Sequence, residues 1–423
     1  MEHDWTSVAL QDLIEPESPI TYGVVKPGDE DSNGVLFIRG GDIADGRILT
    51  EQLRTITREV SKQYKRTLLR GGEILVSLVG NPGQAAIVPS ELQGANIARQ
   101  VGLIRLRQNV NTEYVKYFLR SPMGQEALGA RSLGSVQQVI NLSDLKTVRI
   151  PLPPLPEQRA IAHILGSLDD KIELNRRMNA TLEATARAIF KSWFVDFDPV
   201  HAKARGELPP GTDAATAALF PDSFEQSELG MIPAGWGVEP LDEIANFQNG
   251  LALQNYPPEG DEYLPVVKIR ELRQGYVDEK SDKASRHIRE ECILSDGDVV
   301  FSWSGSLLLE IWCGGTAALN QHLFKVTSES YPKWFYYYWT LHYLEEFQRI
   351  AAGKATTMGH IQRHHLSAVL TAIPPTTLLQ QADEIISPYF ATFIGNRLQS
   401  RTLAQLRDTL LPKLISGEVR VGG

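Results

Sequence analysis

The chain repeats itself, and this internal repeat restricts the fold more than any other feature of the sequence. Sliding the sequence along itself until Pro153-Pro154 falls on Pro374-Pro375 also places Asn175-Arg176 on Asn396-Arg397. Further upstream the offset drifts slightly, and there "GGEILVSLVG" (71–80) lies on "DGDVVFSWSG" (296–305). A repeat this long predicts two copies of one module, each a compact domain followed by a long helix.

The compact part of each copy mixes strand and helix patterns. "EILVSLVG" and "GDVVFSWSG" are short runs of β-branched or aromatic residues that end at glycine, whereas "TEYVKYFLRS" and "YPKWFYYYWTL" are helix candidates. We therefore predict an α+β protein with mixed α/β domains over residues 1–150 and 231–373. A Pro-, Gly- and Ala-rich linker over 201–230 joins the two copies.

Two long helices, over 151–200 and 374–423, carry an apolar heptad repeat. The a positions are Ile161, Leu168, Asn175, Leu182 and Ile189, and in the second copy Ala382, Tyr389, Asn396, Leu403 and Leu410. The d positions are Leu165, Ile172, Asn179, Ala186 and Trp193, and in the second copy Ile386, Phe393, Ser400, Arg407 and Leu414. Five heptads in each helix predict a coiled coil; the alternative is an amphipathic helix that lies on its own domain.

Asn175 and Asn396 are polar a residues near the middle of their helices. In an antiparallel pair the two midpoints coincide, so these asparagines could hydrogen-bond and set the register. A parallel pair would also align them. We expect the antiparallel arrangement, related by a pseudo-twofold axis, in which about 38 residues of helix form a spacer of roughly 55 Å between the domains.

Composition excludes several classes of protein. The chain has 423 residues, a formal net charge of −9, and acidic side chains concentrated in 207–230 and 231–375, which argues against a general polyanion binder. Cys292 and Cys313 are the only cysteines, so a disulfide framework is not expected, although pairing of the two stays open. No leader or membrane span is readable, and we expect a cytoplasmic protein.

Several motifs resemble those of a known family. "IPLPPLPEQRAIAHILGSLDDKIELNRR", "FKSWFVDFDPVHAK", "LGMIPAGWGVEPL" and "LRDTLLPKLISGEV" are similar to the spacer regions of type I restriction-modification specificity subunits. The resemblance covers the whole chain in the order of recognition domain, spacer, recognition domain and spacer. It implies that each target recognition domain reads one half of a bipartite, asymmetric double-stranded DNA target. It also implies that the spacers bind two methyltransferase subunits and, through them, the restriction (translocase) subunits.

Basic residues are the first candidates for DNA contact. The strongest cluster lies in "RTITREVSKQYKRTLLR" and comprises Arg54, Arg58, Lys62, Lys65, Arg66 and Arg70. Lys283 and Arg286 in "KASRHIR" stand at a similar place in the second copy. Such residues suit phosphate contacts, but a solvated helix face explains them equally well.

Loops supply the remaining candidates, because hydroxyl and amide side chains suit phosphates and base edges; turn capping is the alternative. The loop candidates are Ser77, Asn81 and Gln84, with Ser302, Ser304 and Ser306 in the second copy, and Asn96, which aligns with Asn320. The turns before the spacers add Ser135, Gln137 and Gln138, and Lys354, Thr356, Thr357 and His360. A metal site is not expected, because His360 and His364 lack an acidic or cysteine partner at ligand spacing.

Two other classes of protein compete with this interpretation. A DNA methyltransferase or nuclease is disfavoured because the chain lacks an N/D-P-P-Y/F element, a Walker motif and a lysine near Pro221-Asp222. We therefore expect a non-catalytic chain without a cofactor, with S-adenosylmethionine, ATP and Mg on partner subunits. A coiled-coil scaffold that joins two proteins without DNA readout is the alternative that the heptads leave open.

Overall fold

The computed structural model describes residues 5–129, 139–353 and 359–421. The chain divides into two compact units, Met1–Lys171 with Leu403–Gly423, and Ile172–Thr402. Each unit therefore holds one compact domain together with part of each long helix. None of the helices in the described ranges is both long and apolar enough to cross a membrane.

The first domain is built on a four-stranded sheet of order β2-β10-β7-β8 and a three-stranded sheet of order β6-β3-β9. Its strands are β1 (Thr6–Ala9), β2 (Thr21–Tyr22), β3 (Val35–Ile38), β4 (Ile43–Ala44), β5 (Arg47–Ile48), β6 (Arg54–Ile56), β7 (Ile74–Ser77), β8 (Ala85–Ile87), β9 (Asn96–Ile97), β10 (Val101–Ile104) and β11 (Arg149–Leu152). Its helices are α1 (Arg58–Gln63), α2 (Thr112–Arg120), α3 (Pro122–Ala127) and α4 (Leu142–Thr147), and its 3-10 turns are Leu10–Asp12, Gly40–Asp42, Lys65–Thr67 and Ser90–Leu92.

Side-chain caps start α1, α2 and α3 of the first domain. The Asn111 side chain accepts a hydrogen bond from the Tyr114 N–H (2.8 Å) at the start of α2. Ser121 accepts one from Gly124 (3.1 Å) at the start of α3, where Pro122 occupies a position that needs no backbone donor. Thr57 caps α1 in the same way through the Val60 N–H (3.2 Å). These caps separate strand from helix at points that the apolar periodicity alone does not define.

The first long helix, α5 (Leu155–Phe190), begins directly after the Pro153-Pro154 pair and continues as a π-helical turn over Lys191–Val195. Phe197 then adopts a left-handed backbone conformation (φ +53°), which ends the helix and redirects the chain.

The second domain repeats the plan of the first. Its strands are β12 (Phe224–Ser227), β13 (Gly230–Pro233), β14 (Gly237–Pro240), β15 (Asn246–Asn249), β16 (Leu264–Val267), β17 (Lys283–Ala284), β18 (Ile293–Leu294), β19 (Val299–Ser302), β20 (Leu309–Ile311), β21 (Ala317–Leu319), β22 (Leu323–Thr327) and β23 (Leu370–Ile373). Its helices are α6 (Asp198–Ala204), α7 (Ala214–Ala218), α8 (Leu241–Ile244), α9 (Ile269–Gln274), α10 (Lys333–His342), α11 (Leu344–Gly353) and α12 (Arg363–Ser367), and its 3-10 turns are Leu253–Asn255 and Glu290–Cys292. The second long helix is α13 (Thr376–Ile415).

Sheet topology confirms the internal repeat. The order β15-β22-β19-β20 in the second domain matches β2-β10-β7-β8 in the first, and the pair β14-β23 matches β1-β11. In both domains one parallel pair, β3 with β9 and β16 with β21, stands among antiparallel neighbours. The predicted alignment of β7 with β19 is also confirmed, because Ser77 pairs with Val101 as Ser302 pairs with Leu323.

The long helices pack as an antiparallel coiled coil, as the heptads predict. In the second unit, the Asn175 side chain donates to the main-chain oxygen of Asn396 (3.4 Å). The Asn179 side chain, further along α5, donates to the main-chain oxygen of Phe393 (3.1 Å), which comes earlier in α13. The two helices therefore run in opposite directions. All a and d residues of both helices are buried or half-buried. The alternative, an amphipathic helix lying on its own domain, also holds in part, because the seam residues Ile161 and Leu165 pack on the core of the first domain.

Each domain core extends onto its part of the coiled coil. In the first unit, Ile161 and Leu165 of α5 and Leu414 of α13 belong to the same apolar cluster as α2 and the sheet. In the second unit an aromatic cluster around Trp334 of α10 takes in Phe190 and, from α13, the Leu378, Ala382 and Ile386 side chains. Burial of this apolar surface holds each domain onto its helical segments.

Candidate nucleic-acid interface and helical surface

The basic cluster of the first domain forms β6, α1 and the 3-10 turn that follows. Arg58, Lys62, Lys65, Arg66 and Arg70 are exposed, whereas Arg54 is half-buried. Three of these are engaged: Arg54 faces Glu30 (3.7 Å), Arg70 pairs with Glu15 (3.3 Å), and the Arg58 guanidinium donates to the Asn33 carbonyl (3.4 Å). In the described part of the chain, Lys62, Lys65 and Arg66 have no ion-pair partner. Within the basic cluster, these three residues supply the available positive charge.

Asn96 lies beneath this basic segment and does not face a ligand. Its side chain is fully buried. The Asn96 amide accepts from the Thr67 hydroxyl (2.7 Å) and donates to the Ser61 hydroxyl (3.2 Å) and the Tyr64 carbonyl (3.4 Å). The prediction that Asn96 contacts DNA directly is therefore wrong; it ties the basic segment to β9.

The alignment of Asn96 with Asn320 is also wrong. The Ala98 N–H donates to the carbonyl of Ile38 (2.8 Å), and the Asn320 N–H donates to the carbonyl of Val267 (3.2 Å). Asn320 is thus the structural equivalent of Ala98. Its side chain is 5% exposed and donates to the Gln321 amide oxygen (2.9 Å).

The serine candidates are mostly buried at the ends of β7 and β19. Ser77 and Ser302 are fully buried, and each hydroxyl donates to a main-chain oxygen two residues on. Ser304 is 3% exposed, and its hydroxyl lies 3.0 Å from the His322 ring. The prediction that these three serines contact DNA is therefore wrong, because a buried hydroxyl with a protein partner does not reach a ligand. They stabilise turns instead.

Other loop candidates are accessible. Asn81 and Ser306 are exposed, and Gln84 is half-buried. Lys283 and Arg286 are also exposed, but Lys283 stacks on the Tyr263 ring (4.1 Å) and Arg286 pairs with Glu262 (3.1 Å). Both basic candidates of the second domain are therefore already engaged, Lys283 with an aromatic ring and Arg286 with a carboxylate.

Most of the turn candidates lie outside the described residues: Ser135, Gln137, Gln138, Lys354, Thr356 and Thr357. His360 is described; it forms a β-bridge with Ser304, and its ring lies 6.2 Å from that of Trp303. No group of three His, Cys, Asp or Glu side chains that could hold a metal ion occurs in the part of the chain that the structure describes.

The second domain contains a cavity of about 510 Å³. Of the candidate residues from the sequence, Lys283 and Asn320 line it. It lies at the end of β16 and β21. Its polar lining comes from Gln254, Lys268, Arg270, Asp282, Lys283, Asn320, Gln321 and His322. These residues belong to widely separated segments, so no local motif marks them.

Ion pairs attach the first domain to the helices. The Asp169 carboxylate of α5 accepts from the Tyr117 hydroxyl (2.7 Å) and from Arg407 of α13 (2.7 Å), with Arg120 at 3.5 Å. Burial alone would raise the pKa of Asp169, but hydrogen bonds from Arg407 and Tyr117 and the charges of both arginines outweigh it and hold this pKa below its usual range. The group is thus a charged, hydrogen-bonded clamp.

The second domain has a separate clamp on α13. Arg401 makes a two-armed ion pair with Asp296 (both contacts 2.8 Å), and its hydrogen bond lowers the pKa of that carboxyl. Arg397 reaches Glu310 (3.3 Å), and the Trp334 indole donates to Asp383 (2.8 Å). Neither Arg397 nor Arg401 is an a or d residue, and the heptad pattern does not reveal their partners.

A polar layer crosses the coiled coil in the second unit. The Asn396 amide donates to the side-chain oxygen of Asn179 (2.9 Å), while Asn175 donates to Gln399 (2.9 Å) and Ser400 (3.2 Å). The bond between two asparagine side chains thus joins Asn396 to Asn179 rather than to Asn175. Among the residues that the structure describes, the buried side-chain oxygen of Asn175 has no hydrogen-bond partner.

Two α+β domains of one plan, each seated on its part of the long helices, place the chain in a class of internally repeated two-domain proteins. Residues 2–184 match the type I restriction modification DNA specificity domain. This match covers the first domain and most of α5, and over its whole length the chain is similar to type I restriction-modification specificity subunits.

Relatives and solved structures agree with this assignment. The chain is 28% identical over 450 residues to the type I restriction enzyme MjaIX specificity subunit of Methanocaldococcus jannaschii, covering 99% of this chain and 94% of that protein. It is 31% identical over 233 residues to the EcoBI specificity subunit of Escherichia coli, covering 54% of this chain and 49% of that one. The S subunit structure from M. genitalium superposes with a TM-score of 0.54 at 15% identity, over 97% of this chain and 96% of that chain, and so shares the fold.

Proposed function

We propose that this chain is the subunit that selects the DNA sequence in a type I restriction-modification complex. It recognises a bipartite, asymmetric double-stranded target and docks two methyltransferase subunits and, through them, the restriction subunits. The observation that carries the proposal is the repetition of one sheet framework in two domains whose surface side chains differ. Two similar but non-identical readers suit two different half-targets.

Positive charge in the first domain supports contact with the DNA backbone. Lys62, Lys65 and Arg66 are exposed on one short segment, which Asn96 holds from below. Phosphate contacts of this kind position a protein on DNA without choosing the sequence. In the second domain, Lys283 and Arg286 are the corresponding candidates, and Asn81, Gln84 and Ser306 are the accessible loop candidates.

The outer faces of the long helices support partner docking. Leu174 and Met178 of α5 are 50% and 39% exposed and stand four residues apart, on one face of the helix. Leu406 of α13 is 46% exposed. Large apolar side chains outside a filled seam suit the binding of further helices. We propose that the methyltransferase subunits bind here, that S-adenosylmethionine, ATP and Mg belong to partner subunits, and that this chain is non-catalytic.

Co-expression with the methyltransferase subunit tests the function. The expected result is co-purification of both proteins and, on DNA methylated by the complex, a motif of two short specified parts around an unspecified gap. A continuous palindromic motif would contradict the two-reader proposal. Binding of S-adenosylmethionine by the purified chain alone would favour an enzyme, and partner binding without DNA binding would favour a scaffold.

A triple substitution of Lys62, Lys65 and Arg66 to alanine tests the basic segment. Binding to all duplexes should weaken alike, and the slope of log affinity against log salt should fall by about 0.9 for each phosphate that the variant no longer neutralises. The methylated motif should not change. Wild-type affinity at every salt concentration would mean that the segment is a solvated surface.

A further inference from the structure

Each domain brings three chain segments together at one edge. Because β3 and β9 are parallel, as are β16 and β21, the carboxyl ends of each pair meet at the same edge of the sheet. A third segment reaches this edge through the parallel bridges Val24 to Ala98 and Leu251 to Asn320. We call this edge the carboxyl-end site of each domain.

The backbone framework of the two sites is the same. After β3, the Arg39 N–H donates to the Asp42 carboxylate (2.7 Å); after β16, the Lys268 N–H donates to Glu271 (3.1 Å). The residues that follow β9 and β21, Arg99 and Gln321, make equivalent main-chain hydrogen bonds in the two domains. The Arg99 N–H donates to the carbonyl of Val24, and the Gln321 N–H to that of Leu251, each at 2.9 Å.

The side chains on this framework differ between the domains. Arg99 in the first site corresponds to Gln321 in the second, and Gln100 corresponds to His322. Arg99 is exposed, and within the described ranges its guanidinium has no ion-pair partner. In the second domain the site opens into the cavity of about 510 Å³, whose lining includes Gln321 and the exposed Gln254.

We propose that the carboxyl-end sites read the bases of the two half-targets, with Arg99 as the specificity-determining residue of the first domain and Gln321, assisted by Gln254, that of the second. This inference rests on the proposed function. A guanidinium presents two parallel donors that match the O6 and N7 acceptors of guanine, whereas a carboxamide matches the donor and acceptor of adenine. A constant framework with exchanged polar side chains lets one fold read two different sequences.

The test uses the full complex with its methyltransferase subunits and maps the methylated motif. Arg99→Ala should relax one position, a guanine, in one half of the motif, lowering discrimination there by about tenfold or more, and should leave the other half unchanged. Gln321→Ala should relax one position in the opposite half. Because Arg99 is exposed, its variant should unfold at the wild-type temperature.

Lys65→Ala is the matched control for Arg99→Ala, since it removes an exposed cation from the same domain. It should weaken binding to all sequences and leave the motif intact. If Arg99→Ala behaves like this control, Arg99 does not read a base. If Arg99→Ala and Gln321→Ala both keep the wild-type motif, the carboxyl-end sites do not read bases. Failure of the proposed function is distinguishable, because the wild-type complex itself would then methylate no bipartite motif.

Discussion

Replacing Asp169 by asparagine removes the charge from the clamp of the first domain while keeping its shape. The side chains of Asp169, Arg407 and Arg120 are 24%, 14% and 14% exposed, so two largely buried guanidinium groups would lose their shared carboxylate. Breaking a buried ion pair on one side costs about 3–5 kcal/mol, and partial exposure favours the lower end, about 3 kcal/mol. For a unit of this size each kcal/mol lowers the unfolding temperature by about 2–4 °C, which gives a fall of about 6–12 °C.

Differential scanning calorimetry of the purified chain measures this fall, with Asp170→Asn as the control. Asp170 is the exposed neighbour on the same helix, and the substitution there is chemically identical. Since the pKa of Asp169 is depressed in the folded state, its contribution is present above the ordinary value of 3.8 and is lost as pH falls through the folded pKa. The difference in unfolding temperature between the wild type and Asp169→Asn should therefore become smaller below about pH 4. Equal unfolding temperatures of the two variants at pH 7 would refute the clamp.

Two further predictions concern buried amides. Asn175→Leu should stabilise the chain by about 1 kcal/mol in chemical denaturation, because it removes a buried oxygen that has no hydrogen-bond partner in the described part of the chain. Asn179→Leu should not stabilise it, since the Asn396 amide would lose its acceptor. A stability gain from both substitutions would contradict the observed polar layer. Asn96→Ala should cost about 2 kcal/mol or more and speed hydrogen exchange over residues 61–67, while the exposed Asn81→Ala should do neither. Unchanged exchange in that segment would show that Asn96 does not support it.

The prediction of two domains and two long helices came from the apolar periodicity and the internal repeat of the sequence. The internal repeat and the heptads define two copies of a domain and helix, because apolar residues must return at the spacing of the element that buries them. The asparagines at both helix midpoints fit a parallel or an antiparallel pair, and the contacts of Asn175 and Asn179 with α13 decided for the antiparallel one. The family resemblance then supplied the functional class, which the comparisons confirm.

Tertiary structure decided which polar residues are available. Asn81 and Asn96 look alike as loop asparagines, yet one is exposed and the other is fully buried, because burial depends on segments distant in the chain. The equivalence of Asn320 with Ala98 rather than Asn96 came from strand pairing, since insertions between strands shift a sequence alignment without moving the hydrogen bonds. The cavity gathers side chains from four separate segments for the same reason. Sequence by itself determined the repeated plan and its helices, whereas long-range pairing determined which side chains that plan leaves free to act.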